Sequence, residues 1–427
     1  MSANARTVAN KLDIAWVRQQ FPALQQSVNG RQAVFLDGPG GTQVPQRVID
    51  AIAKYLSTSN ANTAGAFVTS RATDQMIAEA RAAMADFFNC APDEVVFGPN
   101  MTTLTFALSR AIGRELQGGD ELLVTCLDHD ANVSPWVCLE ERGAKVRTAD
   151  VNPADCTLDM FDLQAKIRRN TRLVAFGWAA NAVGTLNDVA RIVRLAHDAG
   201  ALAFVDAVHS APHHAIDVRA LDCDFLACSS YKFFGPHLGI LYGKREQLQR
   251  LRPYKLRACT EQLPDRWETG TQNHECLAGL IAATDYIADV GRHHVPAAET
   301  RRQAILAAYE VFQQHERELM EQLISGLLPI PGITFYGIKD PQRFEQRTPT
   351  VAIRMEGHTP RELATRLGER GIFTWDGNYY AINLAERLGV EPSGGFLRIG
   401  LTHYNTVEEV EQLLEELREI QQLAISN

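Results

Sequence analysis

The chain has 427 residues, of which 45% are hydrophobic and 22% charged. This length favours two folded domains, and the ordinary composition excludes a disordered or low-complexity protein. The formal net charge of −9 argues against nucleic acid or an anionic membrane surface as the main partner.

Two features that the sequence lacks bear on where the protein is located in the cell. No apolar run approaches the roughly 20 residues of a membrane span. Residues 1–7 are not followed by the apolar core of a secretion signal. We therefore expect a cytoplasmic protein without a membrane partner.

The first half of the chain reads as alternating strands and helices between about residues 75 and 245. Short apolar runs predict strands at 94–97, 121–125, 173–176, 201–205 and 225–228, and helices are predicted at 102–113 and 188–199. This alternation predicts an α/β fold with a mainly parallel sheet covered on both faces. Ligand sites in such sheets form at the carboxyl ends of the strands, where Asp206 falls.

The pattern changes after about residue 295. Helices are predicted at 297–328, 359–371 and 407–423, the last capped by Thr406, and strands at 332–336 and 350–355. These elements predict a smaller α+β domain. We predict a large domain over residues 30–290 and a small domain formed by residues 1–29 and 291–427.

The cysteines predict no metal site. They form no CxxC pair and no zinc-ligand spacing, and they lie at Cys90, Cys126, Cys138, Cys156, Cys223, Cys228, Cys259 and Cys276. Most lie among apolar neighbours, so we expect buried thiols in a reducing compartment.

Lys232 is the residue that points most directly to chemistry. It lies among small and hydroxyl-bearing residues, 26 positions after Asp206, which ends an apolar strand. A pyridoxal phosphate (PLP) enzyme needs such a pair, because the lysine forms a Schiff base and the carboxylate keeps the pyridine nitrogen protonated. The alternative is a surface lysine beside a Gly-Pro turn.

A second segment supports phosphate binding. Residues 98–104 carry Asn100, Met101 and Thr102 into an apolar helix. Helix N-termini present unpaired N–H groups and the positive end of the helix dipole, and they bind phosphate well. By itself, Thr102 would be interpreted as the cap of an ordinary helix.

Residues 204–243 resemble the cysteine desulfurase branch of the class V aminotransferases, a fold-type I PLP family. The resemblance extends from Phe35-Leu36-Asp37-Gly38 to the C-terminal helix. It implies a large domain with a mainly parallel sheet, a smaller α+β C-terminal domain, PLP as cofactor and an amino-acid substrate. It also implies a homodimer with shared active sites.

The resemblance assigns the cofactor contacts residue by residue. It implies catalytic roles for Lys232, Asp206 and His129, whose imidazole stacks on the pyridine ring. The remaining cofactor contacts that it implies are Met101, Thr102, Ser229 and Tyr231 at the phosphate, His209 and Asn181 at the phenolic oxygen, and Thr271 at the phosphate of the neighbouring subunit. Tyr231 departs from the histidine usual in the family, and His209 stands where many members carry glutamine.

The resemblance also implies a clamp for the carboxylate of the substrate. Arg398, in Phe396-Leu397-Arg398-Ile399-Gly400, matches the arginine that binds the substrate α-carboxylate, together with Asn181. A guanidinium matches a carboxylate bidentately. The aromatic residues Trp375, Tyr379 and Tyr380 and the stretch 60–67 are candidates for shaping the substrate pocket, with plain packing as the alternative.

One difference from the family pattern affects the predicted reaction. A desulfurase of this family needs a cysteine on a loop of the small domain, and Tyr380 falls about where it should lie. No cysteine follows Cys276. We therefore predict carbon–sulfur cleavage by β-elimination, with an epimerase or aminotransferase, or a non-catalytic PLP-fold binding protein, as alternatives.

Overall fold

A computed structural model describes residues 11–426 of the chain. Residues 1–7, on which the expectation about a secretion signal rests, lie outside this range. The α-helices of this part are α1 (Ile14–Gln19), α2 (Gln46–Thr58), α3 (Val68–Phe88), α4 (Met101–Ile112), α5 (Ser134–Val137), α6 (Met160–Lys166), α7 (Val189–Asp198), α8 (Val218–Leu221), α9 (Arg245–Arg250), α10 (His274–His294), α11 (Arg301–Leu327), α12 (Pro360–Glu369), α13 (Ile382–Arg387) and α14 (Val407–Ser426).

The strands are β1 (Ser27–Val28), β2 (Arg31–Gln32), β3 (Val34–Phe35), β4 (Val95–Gly98), β5 (Glu121–Thr125), β6 (Lys145–Ala149), β7 (Val151–Asn152), β8 (Thr157–Leu158), β9 (Thr171–Gly177), β10 (Leu202–Asp206), β11 (Phe225–Ser229), β12 (Gly239–Gly243), β13 (Ile333–Tyr336), β14 (Thr350–Met355), β15 (Ile372–Phe373), β16 (Trp375–Gly377) and β17 (Phe396–Gly400). None of the described helices combines the length and apolar character needed to cross a bilayer.

A seven-stranded sheet forms the centre of the molecule, in the order β4-β12-β11-β10-β9-β5-β6. The pairs from β11 through β10, β9 and β5 to β6 are parallel, and β12 runs antiparallel to both of its neighbours. Apolar side chains of the central strands are buried on both faces, as expected for a parallel sheet covered by helices. The predicted α/β fold class is confirmed.

Two strands of this sheet were absent from the sequence prediction. β6 lies at an edge and alternates charged and small residues, so it has no continuous apolar run. β12 is a short, fully buried Gly-Ile-Leu-Tyr-Gly strand, and its terminal glycines resemble turn signals. Periodicity is a weak guide to both kinds of strand.

A four-stranded sheet, β13-β14-β17-β16, is antiparallel throughout and forms the second core with α11, α12 and α14. β3 pairs in parallel with β15, so the N-terminal residues Val34 and Leu36 pack in this second core. Helix α11 contributes Phe312 to the first core and Leu323 to the second. The domain boundaries at 29/30 and 290/291 stay a prediction.

The helix predicted at 297–328 begins later than expected. Thr300 and Gln303 form a reciprocal capping box, in which the Thr300 side chain accepts from the Gln303 N–H and the Gln303 side chain accepts from the Thr300 N–H. This box satisfies free N–H groups of the first turn and sets the start of α11 at Arg301.

Candidate active site

A cavity with an empty volume of about 630 Å³, counted with its open mouth, lies where β5, β9 and β10 end beside the start of α4. Nine of the predicted site residues line it: Met101, Thr102, His129, Asn181, Asp206, His209, Ser229, Tyr231 and Lys232. Residues separated by more than a hundred positions therefore meet at one edge of the sheet.

Lys232 lies in a short 3-10 turn directly after β11. Its amine donates a hydrogen bond to the Pro39 carbonyl and lies 4.8 Å from the centre of the Tyr231 ring. Burial and the nearby Arg398 cation lower the pKa of Lys232 to about 7, against the opposing pull of Asp206 and Asp37. A substantial fraction of the amine is therefore neutral near pH 7, as a nucleophile or base requires.

Asp206 ends β10 and accepts a hydrogen bond from the Val208 N–H at 2.8 Å. Burial raises the pKa of Asp206 to about 6. Asp128, which also lines the cavity, accepts from the Gly177 N–H at 2.6 Å. Burial and the Asp206 charge raise the pKa of Asp128 well above its usual range.

The N-terminus of α4 forms one end of the cavity. Asn100 caps the helix by accepting from the Thr103 N–H at 2.8 Å, and the Met101 N–H donates to Ser229 Oγ at 3.1 Å. Thr102 is exposed and faces the cavity. This arrangement of helix N–H groups and hydroxyls suits a phosphate.

A glycine on the neighbouring strand lets this helix approach the sheet. A Cβ added to Gly239 would lie 2.3 Å from the Asn100 carbonyl carbon. Gly239 pairs with Ser229 on one side and Gly98 on the other. The backbone under the phosphate end therefore leaves no room for a side chain at this position.

Two histidines in the cavity are held neutral. Burial, together with the Lys232 charge, lowers the pKa of His129 to about 4. His129 Nδ1 accepts from the Ala131 N–H at 2.9 Å, which fixes the ring that the resemblance places on the pyridine face. His209 Nε2 lies 3.3 Å from Thr348 Oγ1, and burial lowers the His209 pKa well below its usual range.

Arg398 lies on β17, a strand of the four-stranded sheet. Its Nη1 donates to the Asn181 carbonyl at 2.9 Å. Burial lowers the pKa of Arg398 to about 10, a range in which the guanidinium stays charged at neutral pH. Among the described residues, Arg398 Nε and Asn181 Oδ1 are both buried without a hydrogen-bond partner, which indicates an absent polar ligand.

Thr271 does not reach this cavity within the chain. It lines a separate cavity with residues 62–64, Leu256 and Gly270. The expectation that the stretch 60–67 shapes the substrate pocket is therefore not met within one chain. Trp375 and Tyr380 are exposed, and the Tyr380 ring lies 5.4 Å from the His129 ring.

Sequence interpretation assigned no role to several cavity residues, among them Pro39, Asp128 and Gly177. Asp128 follows shortly after strand β5, so the rule that places sites at the carboxyl ends of strands could have found it. Pro39 contributes a backbone carbonyl, and a carbonyl contact leaves no signal in residue type.

The residues of the cavity fit PLP. A helix N-terminus with hydroxyls lies at one end, a lysine amine with a lowered pKa lies within it, and Asp206 lies at the end of a neighbouring strand. The unpartnered Arg398 Nε beside them matches the needs of a carboxylate substrate. The fold and this site define a PLP-dependent enzyme of fold type I.

Comparisons with known proteins agree with this class. The family model described as Aminotransferase class-V matches residues 34–413. The chain therefore belongs to the class-V aminotransferase family, whose cofactor is PLP.

Individual relatives extend over nearly the whole chain. A cysteine desulfurase of Synechococcus elongatus is 33% identical, and the match covers 96% of this chain but 64% of that protein, less than two thirds of its length. The aminotransferase-like protein FGM3 of Gibberella zeae is 32% identical over 97% of this chain and 98% of its own. The crystal structure of the Escherichia coli cysteine desulfurase CsdA superposes with a TM-score of 0.83 at 28% identity, covering 97% of this chain and 100% of that chain.

Proposed function

We propose that this enzyme cleaves the carbon–sulfur bond of a cysteine-type amino acid by β-elimination. The observation that carries the proposal is a cavity lined by Lys232, Asp206 and Asn181 and by no thiol, with Arg398 hydrogen-bonded to the Asn181 carbonyl beside it. None of the eight cysteines, all of which lie within residues 11–426, lines this cavity. Its relatives include cysteine desulfurases, which supports a sulfur-containing substrate.

The cysteine near the site is not suited to carry sulfur. Cys126 follows β5 and is buried, with its Sγ directed to the Asn383 carbonyl at 3.3 Å. Burial raises the pKa of Cys126 to about 11. The thiolate is the reactive species, so this group is a poor nucleophile near pH 7.

Each residue of the site has a distinct role in this reaction. Arg398, held by the Asn181 carbonyl, binds the substrate α-carboxylate, and Lys232, as a neutral amine, removes the proton from Cα. Asp206 holds a proton at the pyridine nitrogen. When bound, PLP supplies an electron sink for the electron pair released at Cα.

The overall reaction balances without a sulfur acceptor. The Cβ–S electron pair leaves with sulfur, which takes a proton, and water hydrolyses the remaining three-carbon fragment. Cysteine and water thus give pyruvate, ammonia and hydrogen sulfide. A persulfide carrier is not needed at any stage.

The test is product analysis with cysteine and cystine. Pyruvate in equal amounts with sulfide from cysteine, or with cysteine persulfide from cystine, supports elimination, and Lys232→Ala serves as the matched inactive control. Alanine with protein-bound sulfur would instead show desulfuration and refute the proposal. Deuterium uptake from solvent without cleavage would show epimerisation.

We further propose a homodimer with shared sites. Thr271 lies outside the cofactor cavity of its own chain, and its cavity is bordered by Leu256, which is 62% exposed. A second subunit covering this surface would bring Thr271 to the partner's phosphate. Light scattering of the purified protein gives the mass, and a monomer at working concentration contradicts the proposal. Cytoplasmic location stays a prediction.

A further inference from the structure

Residues 378–381 form a fixed loop that contains Tyr380, the residue that the family resemblance places about where a desulfurase carries its cysteine. Tyr379 and Tyr380 both adopt left-handed backbone conformations, with φ of 56° and 60°. Such conformations persist in bulky residues only where the surroundings impose them. Here Asn378 Oδ1 accepts from the Tyr380 N–H at 2.9 Å, and the Tyr380 carbonyl accepts from the Asp130 N–H at 2.7 Å.

The Tyr379 side chain anchors this loop to the small sheet. Its hydroxyl lies 2.5 Å from the Phe396 carbonyl and 2.9 Å from the Trp375 carbonyl. Both acceptors belong to adjacent strands, β17 and β16. The tyrosine ring is therefore held at its outer end by backbone that is itself part of a sheet.

The same residue contacts both members of the carboxylate clamp. The Arg398 guanidinium carbon lies 3.9 Å from the centre of the Tyr379 ring, and the Tyr379 carbonyl accepts from Asn181 Nδ2 at 2.9 Å. Arg398 in turn donates to the Asn181 carbonyl at 2.9 Å. The three residues form a closed set in which each one fixes the other two.

This set leaves specific atoms for a ligand. One face of the guanidinium is covered by the ring, so a carboxylate must approach Arg398 in the guanidinium plane, where bidentate pairing occurs. The Asn181 amide nitrogen is directed to Tyr379, and Oδ1 can only accept a hydrogen bond, so Arg398 is the donor to the carboxylate. Among the described residues, Arg398 Nε is buried without a hydrogen-bond partner and is available for this contact.

From this geometry we propose that Tyr379 is the positioning residue for recognition of the substrate α-carboxylate. Its ring holds the Arg398 guanidinium and its carbonyl holds the Asn181 amide. The proposal rests on the proposed function for the assignment of Arg398 to the carboxylate. It adds that the loop of residues 378–381 preorganises the clamp.

The test compares two ligands that differ only in the carboxylate. L-Alanine and L-alaninamide both carry the reacting amine and lack a β-leaving group, so each gives a dissociation constant from the change in cofactor absorbance without turnover. In Tyr379→Leu, we expect the preference for alanine over alaninamide to fall about tenfold, because a buried cation–π contact is lost. Tyr379→Phe keeps the ring and is expected to retain most of the preference.

If Tyr379→Leu does not fold, Tyr379→Met replaces it. Methionine also lacks a ring and has a flexible side chain of comparable length. If Tyr379→Leu and Tyr379→Met weakened the binding of alanine and alaninamide equally, the role of Tyr379 would be packing alone and the proposal would be overturned. A phenylalanine variant as weak as the leucine variant, or a wild type with no preference for the carboxylate, would also overturn it. This binding preference does not depend on which products the enzyme forms from cysteine. Product analysis therefore tests the β-elimination proposal separately.

Discussion

Gly239→Ala tests whether close approach of α4 to β12 builds the phosphate end of the cofactor site. The added methyl carbon would lie 2.3, 2.6 and 2.7 Å from the carbonyl carbon, carbonyl oxygen and Cα of Asn100. All three are backbone atoms, so no side-chain rotation relieves the contact. Restoring ordinary contact, at roughly 3.4 Å, requires the cap of α4 to move by about 1 Å.

Two effects follow from this displacement. Overpacking of this kind destabilises a protein by about 1–3 kcal/mol. Because hydrogen bonds to a charged group contribute about 1.5–3 kcal/mol each, loss of one such bond to the phosphate weakens PLP binding by about 10- to 100-fold.

The assay titrates the apoprotein with PLP by absorbance and measures unfolding in urea. Gly243→Ala, at the other end of β12, is the matched control, because its methyl group would meet the Leu248 and Phe225 side chains and no backbone. We expect this control to lose stability but to keep its PLP affinity. Wild-type PLP affinity in Gly239→Ala would refute the argument that the α4 cap binds the phosphate.

Three further outcomes are expected. Acylation of Lys232 in the apoprotein should rise with pH and reach half its maximum near pH 7, because the buried amine loses its proton there; a midpoint near the ordinary lysine value of about 10.4 would contradict the lowered pKa. Asp206→Asn should still bind PLP but lose about 10²–10³-fold in the rate of Cα deuterium exchange, since a fixed charge at the ring nitrogen is removed; an unchanged rate would remove Asp206 from the mechanism. Arg81→Met should lower the free energy of unfolding, measured in urea, by about 3 kcal/mol. The reason is that Glu268, paired with Arg81 at 2.8 Å and only 7% exposed, is left as a buried unpaired carboxylate. Adding Glu268→Gln should recover part of this loss, and no recovery would show that Arg81 contributes through packing.

Much of the fold was predictable because its signals are local. The apolar runs of β5, β9, β10 and β11 fall where strands were expected, since strands buried on both faces are continuously apolar. The edge strand β6 and the glycine-bounded β12 lack that signal. Helix ends depended on capping hydrogen bonds, as at Thr300, which sequence periodicity does not resolve.

The cofactor and the class of enzyme were predicted from the sequence for two reasons. Lysine and aspartate are residue types that PLP chemistry uses, and the order of Lys232 after Asp206, with a phosphate-binding helix start upstream, resembles that of the class V aminotransferases. Only the tertiary structure showed that Asp128 lies in the same cavity as Asp206, and that Tyr379 covers Arg398.

The physical reason is the distance along the chain over which these contacts form. The Arg398–Asn181 hydrogen bond joins residues 217 positions apart, and the Asn181–Tyr379 bond joins residues 198 apart. One of these bonds is accepted by a backbone carbonyl of Asn181 and the other by that of Tyr379, which any residue type provides. Residue identity therefore determined the chemistry available to this protein, and contacts between segments far apart in the chain decided which groups meet to use it.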